Sequence, residues 1–304
     1  MTPNTKEQRL ASWRKIVAAQ IKLFDATTSE NAADYRRLVE SMRSAPAYHI
    51  RPILKQLTRI QEATGKAPSE IRILDHGCGG GGTLLYLAAL GYNDVHGVDI
   101  GGHIGKVDGM LRAVTKSDAP RVRLYDGQTL PFPERTVDLI FSQQVLEHVR
   151  DRLIENYITE EVRVLSSDGI AYHQIPHRLT PWESHTKTWC IHYFPNSVRR
   201  PLYRRLGHDP DYIQKMLHLR TPSYFRRLFK AHFGILEDET LERLTLIPDP
   251  VYYDGNLRLR NMISAVAKFP ILGAVFSQLV MLDFIGRKNA ARREGDYPKY
   301  CAGT

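Results

Sequence analysis

The stretch Ile71-Arg72-Ile73-Leu74-Asp75-His76-Gly77-Cys78-Gly79-Gly80-Gly81-Gly82 decides how this chain folds. Residues 71–74 form a short apolar run, which reads as a buried strand. The glycine cluster behind it lets the backbone turn sharply out of the strand and approach a ligand closely. Residues 83–90 then carry a helical pattern that stops at Gly91. A helix starting there directs its free N–H groups at whatever the glycines hold.

Further strands are expected at 95–98, 122–125, 137–142 and 170–175, with a helix over 152–165. Strands alternating with helices predict an α/β fold with a doubly wound, mostly parallel sheet covered on both faces. Upstream, apolar residues recur at helical spacing in Trp13, Ile16, Val17, Ile21 and Phe24, and again near Ile53, Leu54 and Leu57. Residues 1–68 therefore read as a helical N-terminal extension that ends in a turn-rich link at 65–70. The core domain is expected over 69–175. The rhythm breaks at Pro176, and 176–221 reads as a basic insertion rich in His and aromatic residues. Long insertions of this kind often carry substrate contacts. Residues 222–304 are expected to finish the core, with a helix at 222–231 and a return to the sheet at 234–236. A C-terminal helical region and a polar tail would follow.

Gly77, Gly79 and Gly82 satisfy GxGxxG, and Asp99 lies 22 residues beyond Gly77, where an acid would hold ribose hydroxyls. On these residues alone, a nicotinamide dinucleotide is an open alternative.

Asp75-x-Gly77-x-Gly79-x-Gly81 resembles motif I of the class I S-adenosylmethionine-dependent methyltransferases. The resemblance continues, in order, through Tyr125-Asp126-Gly127-Gln128, Leu130-Pro131-Phe132-Pro133, Val137-Asp138-Leu139-Ile140-Phe141-Ser142 and Val145-Leu146-Glu147-His148-Val149. It is most similar to the ubiquinone-biosynthesis branch and covers about a third of the chain. It implies a seven-stranded Rossmann-like sheet and S-adenosylmethionine as cofactor. Asp75 would then sit at the methionyl ammonium; a carboxylate suits that group and would repel a pyrophosphate. Gly77, Gly79 and Gly81 would line the methionine and ribose. Asp99 would accept from both ribose hydroxyls, and Ile100 would pack on the adenine. Asp126 would accept from the adenine amino group, with Gly127 offering its N–H. Ser142 and Gln143 would close the methionine side. Glu147 and His148 would open a helix at the site floor.

The methyl acceptor has to be read from the insertion. His177 follows the fifth strand directly, at the sheet edge where open α/β sheets hold ligands. His185 lies in Trp182-Glu183-Ser184-His185-Thr186, and His192 in Trp189-Cys190-Ile191-His192-Tyr193-Phe194. Histidine is the natural base near neutral pH, so His177, His185 and His192 are the candidate catalytic residues. Trp182, Trp189, Tyr193 and Phe194 could stack on a ring or form the insertion's own small core. The spacing of His177, Glu183, His185 and His192 is not diagnostic of a metal site, and none is assigned. A looser likeness to methyltransferases acting on bacterial surface glycans points to O-methylation of a saccharide, glycolipid or related hydroxyl compound.

Charge sharpens the choice of partner. The chain has 304 residues and a formal net charge of +9, and 176–230 holds 11 Lys/Arg against 3 Asp/Glu. Such a patch suits an anionic acceptor. Nucleic acid is a weaker reading, because strand four ends in Ser142-Gln143-Gln144 rather than an Asn/Asp-Pro-Pro-aromatic motif. Three scattered cysteines exclude a disulfide framework and fit a reducing compartment. The polar start lacks the apolar core of a signal peptide. The stretch 262–285 is interrupted by Lys268, Pro270 and Asp283, so it is expected to be a buried helix or hairpin rather than a span, with an interfacial helix as the alternative. A cytoplasmic protein is expected. A non-catalytic cofactor-binding protein on the same fold is the remaining alternative.

Overall fold

The computed structural model describes residues 50–101, 104–211, 215–246 and 256–289. Most of the expected N-terminal extension lies outside the described residues, as do 290–304 of the expected tail.

Helix α1 (Arg51–Thr64) carries Pro52 in its first turn, buries Ile53, Leu57 and Ile60 along one stripe, and stops at Gly65 in the left-handed region. The glycine segment gives β1 (Ile73–His76) and then α2 (Gly82–Ala89). The strand runs two residues further than the apolar run, so Asp75 and His76 stand on its carboxyl end. There follow β2 (Val95–Asp99), α3 (Ile104–Thr115), β3 (Val122–Leu124), β4 (Val137–Gln143), α4 (Ile154–Val164) and β5 (Leu165–Ile175).

The insertion contains a short hairpin of β6 (Trp182–Glu183) and β7 (Thr188–Trp189), then α5 (Asn196–Arg205). Helix α6 (Pro222–Phe233) is capped by the Thr221 side chain, which accepts from Tyr224 N. The chain returns to the sheet as β8 (Gly234–Asp238). After α7 (Thr240–Thr245), α8 (Leu257–Ala267) and α9 (Pro270–Ser277), it adds β9 (Leu282–Lys288).

The seven main strands form one sheet in the order β3-β2-β1-β4-β5-β9-β8. Only β9 runs against its neighbours β5 and β8. Alternating side chains sort into two cores, as a sheet covered on both faces requires. Ile73, Leu139, Phe141, Tyr172 and Ile285 pack beneath α1, α2 and α3. Leu74, Ile140, Ala171 and Phe284 face α4 and α6 on the other side. The winding reverses between β1 and β4, which places a ligand crevice at the carboxyl ends of these strands.

The stretch 262–285 differs from the buried expectation. Helices α8 and α9 meet at a 118° bend, and no single described helix is long and apolar enough to cross a membrane. Met262, Phe269, Ile271 and Val275 are exposed. The last part of the stretch is β9, hidden from a periodicity reading because its apolar residues continue those of the helices.

Candidate functional site

The glycine turn is held by fit on both sides. Gly77 has φ +93°, and a Cβ there would meet Val145 at 2.6 Å. Gly81 has φ +66° and caps α2, with Val107 where its Cβ would stand. Gly79 also has positive φ, but a Cβ on it would meet nothing within 4 Å, so this part of the turn borders open space.

Three carboxylates stand at or just past the carboxyl ends of β1, β2 and β3. Asp99 accepts from Gly79 N and Gly101 N, each at 2.8 Å, which fixes its carboxylate at the tip of β2. Asp126 accepts from Gln128 N and Thr129 N through Oδ1, and these bonds lower its pKa. Asp75 is only 6% exposed and has no cation partner among the described residues. Burial, then the Asp99 charge, pushes its carboxyl well above the usual range. A buried acid without a counter-charge is costly unless a ligand supplies one. The ammonium of an amino-acid ligand would do so. Ile100 is 71% exposed and lies against Gly127, as an apolar slot for a flat ring would. These groups fit S-adenosylmethionine in residue type and placement.

Ser142 and Gln143 end β4 beside this turn. The Ser142 hydroxyl is buried and bonded to Tyr157 at 2.9 Å, so it supports the floor rather than lining the cleft. Tyr157 donates on to the His76 carbonyl and stacks on the His76 ring. His76 Nδ1 lies 2.8 Å from Glu161, and Nε2 lies 2.7 Å from the Tyr125 hydroxyl. Glu161 also reaches His173 at 2.9 Å. Burial raises the Glu161 pKa, but His173 and His76 outweigh it and hold the carboxylate below its usual range. This buried layer ties β1, α4 and β5 together beneath the cleft. Sequence reasoning missed it, because no local pattern joins positions 76, 161 and 173.

Gln144 has φ +57° and turns the chain out of β4. Val145 then covers Gly77. Glu147 and His148 lie in a turn closed by His148 N to Val145 O at 2.8 Å, not in a helix; α4 begins only at Ile154. The turn is clamped from outside by the insertion. Arg220 donates to the carbonyls of Leu146, Val149 and His218 and pairs with Asp151. His218 N donates to the Glu147 carbonyl.

The expected histidines separate. His177 is buried with both ring nitrogens engaged: Nε2 with the Val280 carbonyl at 2.7 Å, and Nδ1 accepting from Leu179 N at 3.1 Å. Burial lowers its pKa to about 4. His192 is also buried, packed on Tyr193, and burial lowers its pKa. His185 alone reaches the turn after β4, where its Nε2 lies 3.1 Å from His148 Nε2 and 3.9 Å from Glu147 Oε1. Glu183 sets its orientation, accepting from His185 N and Nδ1 through Oε1 and from Thr186 through Oε2. These bonds, against burial, hold Glu183 down to about 2, and its bond to His185 raises the imidazole pKa. Burial pushes Glu147 up to about 7. Trp182, Trp189, Tyr193 and Phe194 do not form the insertion's core, which is built on Tyr203 and Leu217. Trp182, Trp189, Tyr193 and Phe194 are exposed.

Residues 74–173 match a family model described as a methyltransferase domain. With the strand order above, this segment is a class I S-adenosylmethionine-dependent methyltransferase domain. The match does not single out the ubiquinone-biosynthesis branch. A curated relative, ajmaline N-methyltransferase of Rauvolfia serpentina, is 30% identical over 118 residues, which are 38% of this chain and 40% of that protein. The chain thus spans about two fifths of that relative's length. Among solved structures, the YcgJ protein from Bacillus is similar with a TM-score of 0.43 at 15% identity, covering 77% of this chain and 97% of that one. Geranyl diphosphate C-methyltransferase from Streptomyces coelicolor gives 0.44 at 14% identity, covering 79% and 81%. Neither likeness bears on what this chain acts on.

Proposed function

We propose that this protein transfers the methyl group of S-adenosylmethionine to a hydroxyl oxygen of a saccharide, glycolipid or related small acceptor. One observation carries the reading. The Glu147–His148–His185 cluster follows Val145, the cover of the glycine turn, by only two residues, a chain span of at most about 7 Å. A cofactor cradle and a set of proton-accepting groups therefore share one cleft edge.

The donor supplies a methyl group already activated on sulfur, so positioning and exclusion of water do much of the work. Asp75 holds the ammonium, Asp99 the ribose hydroxyls, and Ile100 with Asp126 the adenine. An acceptor hydroxyl still has to lose its proton. His148 Nδ1 faces the Met216 carbonyl, which only an N–H satisfies. His185 Nδ1 likewise faces the Glu183 carboxylate. In the neutral form of either ring, the lone pair is then on Nε2 and turned into the cluster. His185 keeps its place as a catalytic candidate with His148 beside it. The bonds of His177 and the burial of His192 fit support of the insertion instead. Exposed Trp182 and Trp189 offer faces for a sugar ring, and exposed Arg204 and Arg205 suit an anionic group on the acceptor.

The test is turnover with methyl-labelled donor on glycan and glycolipid acceptors. Label is expected in an ether linkage, and His185→Ala should lower kcat by roughly 100-fold or more while the donor's Kd holds. Label found only on nitrogen or carbon, or His185→Ala at full rate, would refute the reading.

A further inference from the structure

We propose that Glu147, His148 and His185 form a binding site for a divalent transition-metal cation, Zn²⁺ by ligand type, with an open side toward the cleft. The spacing of the sequence gives no such site, because His185 arrives from the insertion, 37 residues after His148.

Four observations support it. First, one ligand atom from each residue comes within 4.8 Å of the others. The distances are 3.1 Å between the two Nε2 atoms, and 3.9 and 4.0 Å from these to Glu147 Oε1. The point equidistant from three atoms so arranged lies about 2.1 Å from each, the bond length of Zn²⁺ to imidazole nitrogen and carboxylate oxygen. Second, Glu147 is fully buried, and neither carboxylate oxygen has a hydrogen-bond partner among the described residues. A carboxylate in that state needs a cation or a proton. Third, both imidazoles commit Nδ1 elsewhere, so two Nε2 atoms face one another. They can meet at 3.1 Å only by sharing a proton or a positive ion. Fourth, the ring orientations are set from behind. The Glu183 carboxylate holds His185 Nδ1 at 2.7 Å, and the Met216 carbonyl holds His148 Nδ1 at 2.9 Å. Carboxylate–histidine and carbonyl–histidine supports of this kind recur behind metal ligands.

Two imidazoles and one carboxylate select a transition ion over Mg²⁺ or Ca²⁺, which prefer all-oxygen sets. Glu147 closes the inner side, while His148 is 36% exposed at its side chain. Coordination positions are therefore left for water or an acceptor oxygen, the pattern of a catalytic rather than a structural site. Resting on the reading above, the consequence is that the acceptor hydroxyl binds the cation and releases its proton to solvent. Its oxygen then forms the bond to the methyl carbon as the carbon–sulfur bond breaks, and the sulfur keeps the electron pair.

The test needs neither donor nor acceptor. The full chain is stripped with chelator and titrated with ZnCl₂, with CoCl₂ as a spectroscopic probe and MgCl₂ as the hard-cation control. One Zn²⁺ or Co²⁺ per chain is expected, with visible Co²⁺ bands of low coordination number and no comparable binding of Mg²⁺. Glu147→Gln, His148→Ala and His185→Ala should each abolish the bands. Glu183→Gln should weaken binding by about 10- to 100-fold, and His208→Ala should change nothing. Circular dichroism and donor titration on each variant separate lost ligation from lost fold. Binding that survives His148→Ala and His185→Ala, or a folded chain that takes up neither metal, overturns the site. The second result leaves the methyl-transfer reading standing, with the imidazoles acting as free bases.

Discussion

Asp75→Asn separates a cofactor role from a structural one, because the two predict opposite signs. Asp75 is buried beside Asp99 without a cation partner among the described residues, and its pKa is raised. A raised carboxyl pKa means that the unfolded chain releases this proton at lower pH than the folded chain does. Stability is thus undiminished below the ordinary carboxylate pKa and falls as pH rises toward the folded value. Asn copies the neutral form, so the ligand-free variant should be at least as stable as the parent near pH 7. Binding should move the other way. Replacing a charge-assisted contact to the donor ammonium by a neutral one costs about 2 kcal/mol, roughly 30-fold in Kd. At donor concentrations of about 100 times the parent Kd, ligand stabilisation would fall from about 2.7 to about 0.9 kcal/mol. Paired thermal melts with and without S-adenosylmethionine, plus calorimetric titration, measure both quantities. A variant that melts lower without ligand yet binds the donor at the parent Kd would refute the assignment.

Two further substitutions probe how the site is built. Gly77→Ala should cost about 2–4 kcal/mol in denaturant unfolding, from a left-handed residue and overlap with Val145, whereas Gly80→Ala, with nothing within 4 Å, should stay within about 0.5 kcal/mol; equal losses would mean that the turn is not packed as described. His177, with its pKa lowered to about 4, stays neutral in the fold while the unfolded chain takes up a proton near pH 6.5. Stability should therefore fall by up to about 3 kcal/mol between pH 6.5 and 4, and that slope should vanish in His177→Asn; an unchanged slope would place the titration elsewhere.

The sequence by itself determined the winding of the sheet and the glycine turn with the acids near it. Both are written locally: an apolar run, glycines at a turn that demands positive φ, and acids at the tips of successive strands. Asp75, Asp99, Asp126 and Ile100 were legible for that reason, each being fixed by its distance from a strand end. Element limits drifted by a few residues, and β9 was lost inside a continuous apolar stretch. What only the tertiary structure decided is which histidine reaches the turn after β4. His177, His185 and His192 look equivalent in a line of residues. Folding sends His177 to the Val280 carbonyl, buries His192 beside Tyr193, and brings His185 across to Glu147 and His148. The same holds for the buried layer of His76, Glu161 and His173. Such contacts join residues dozens of positions apart, and their geometry depends on how the insertion packs against the turn after β4. No local preference of the chain encodes that packing; it is a property of the assembled core.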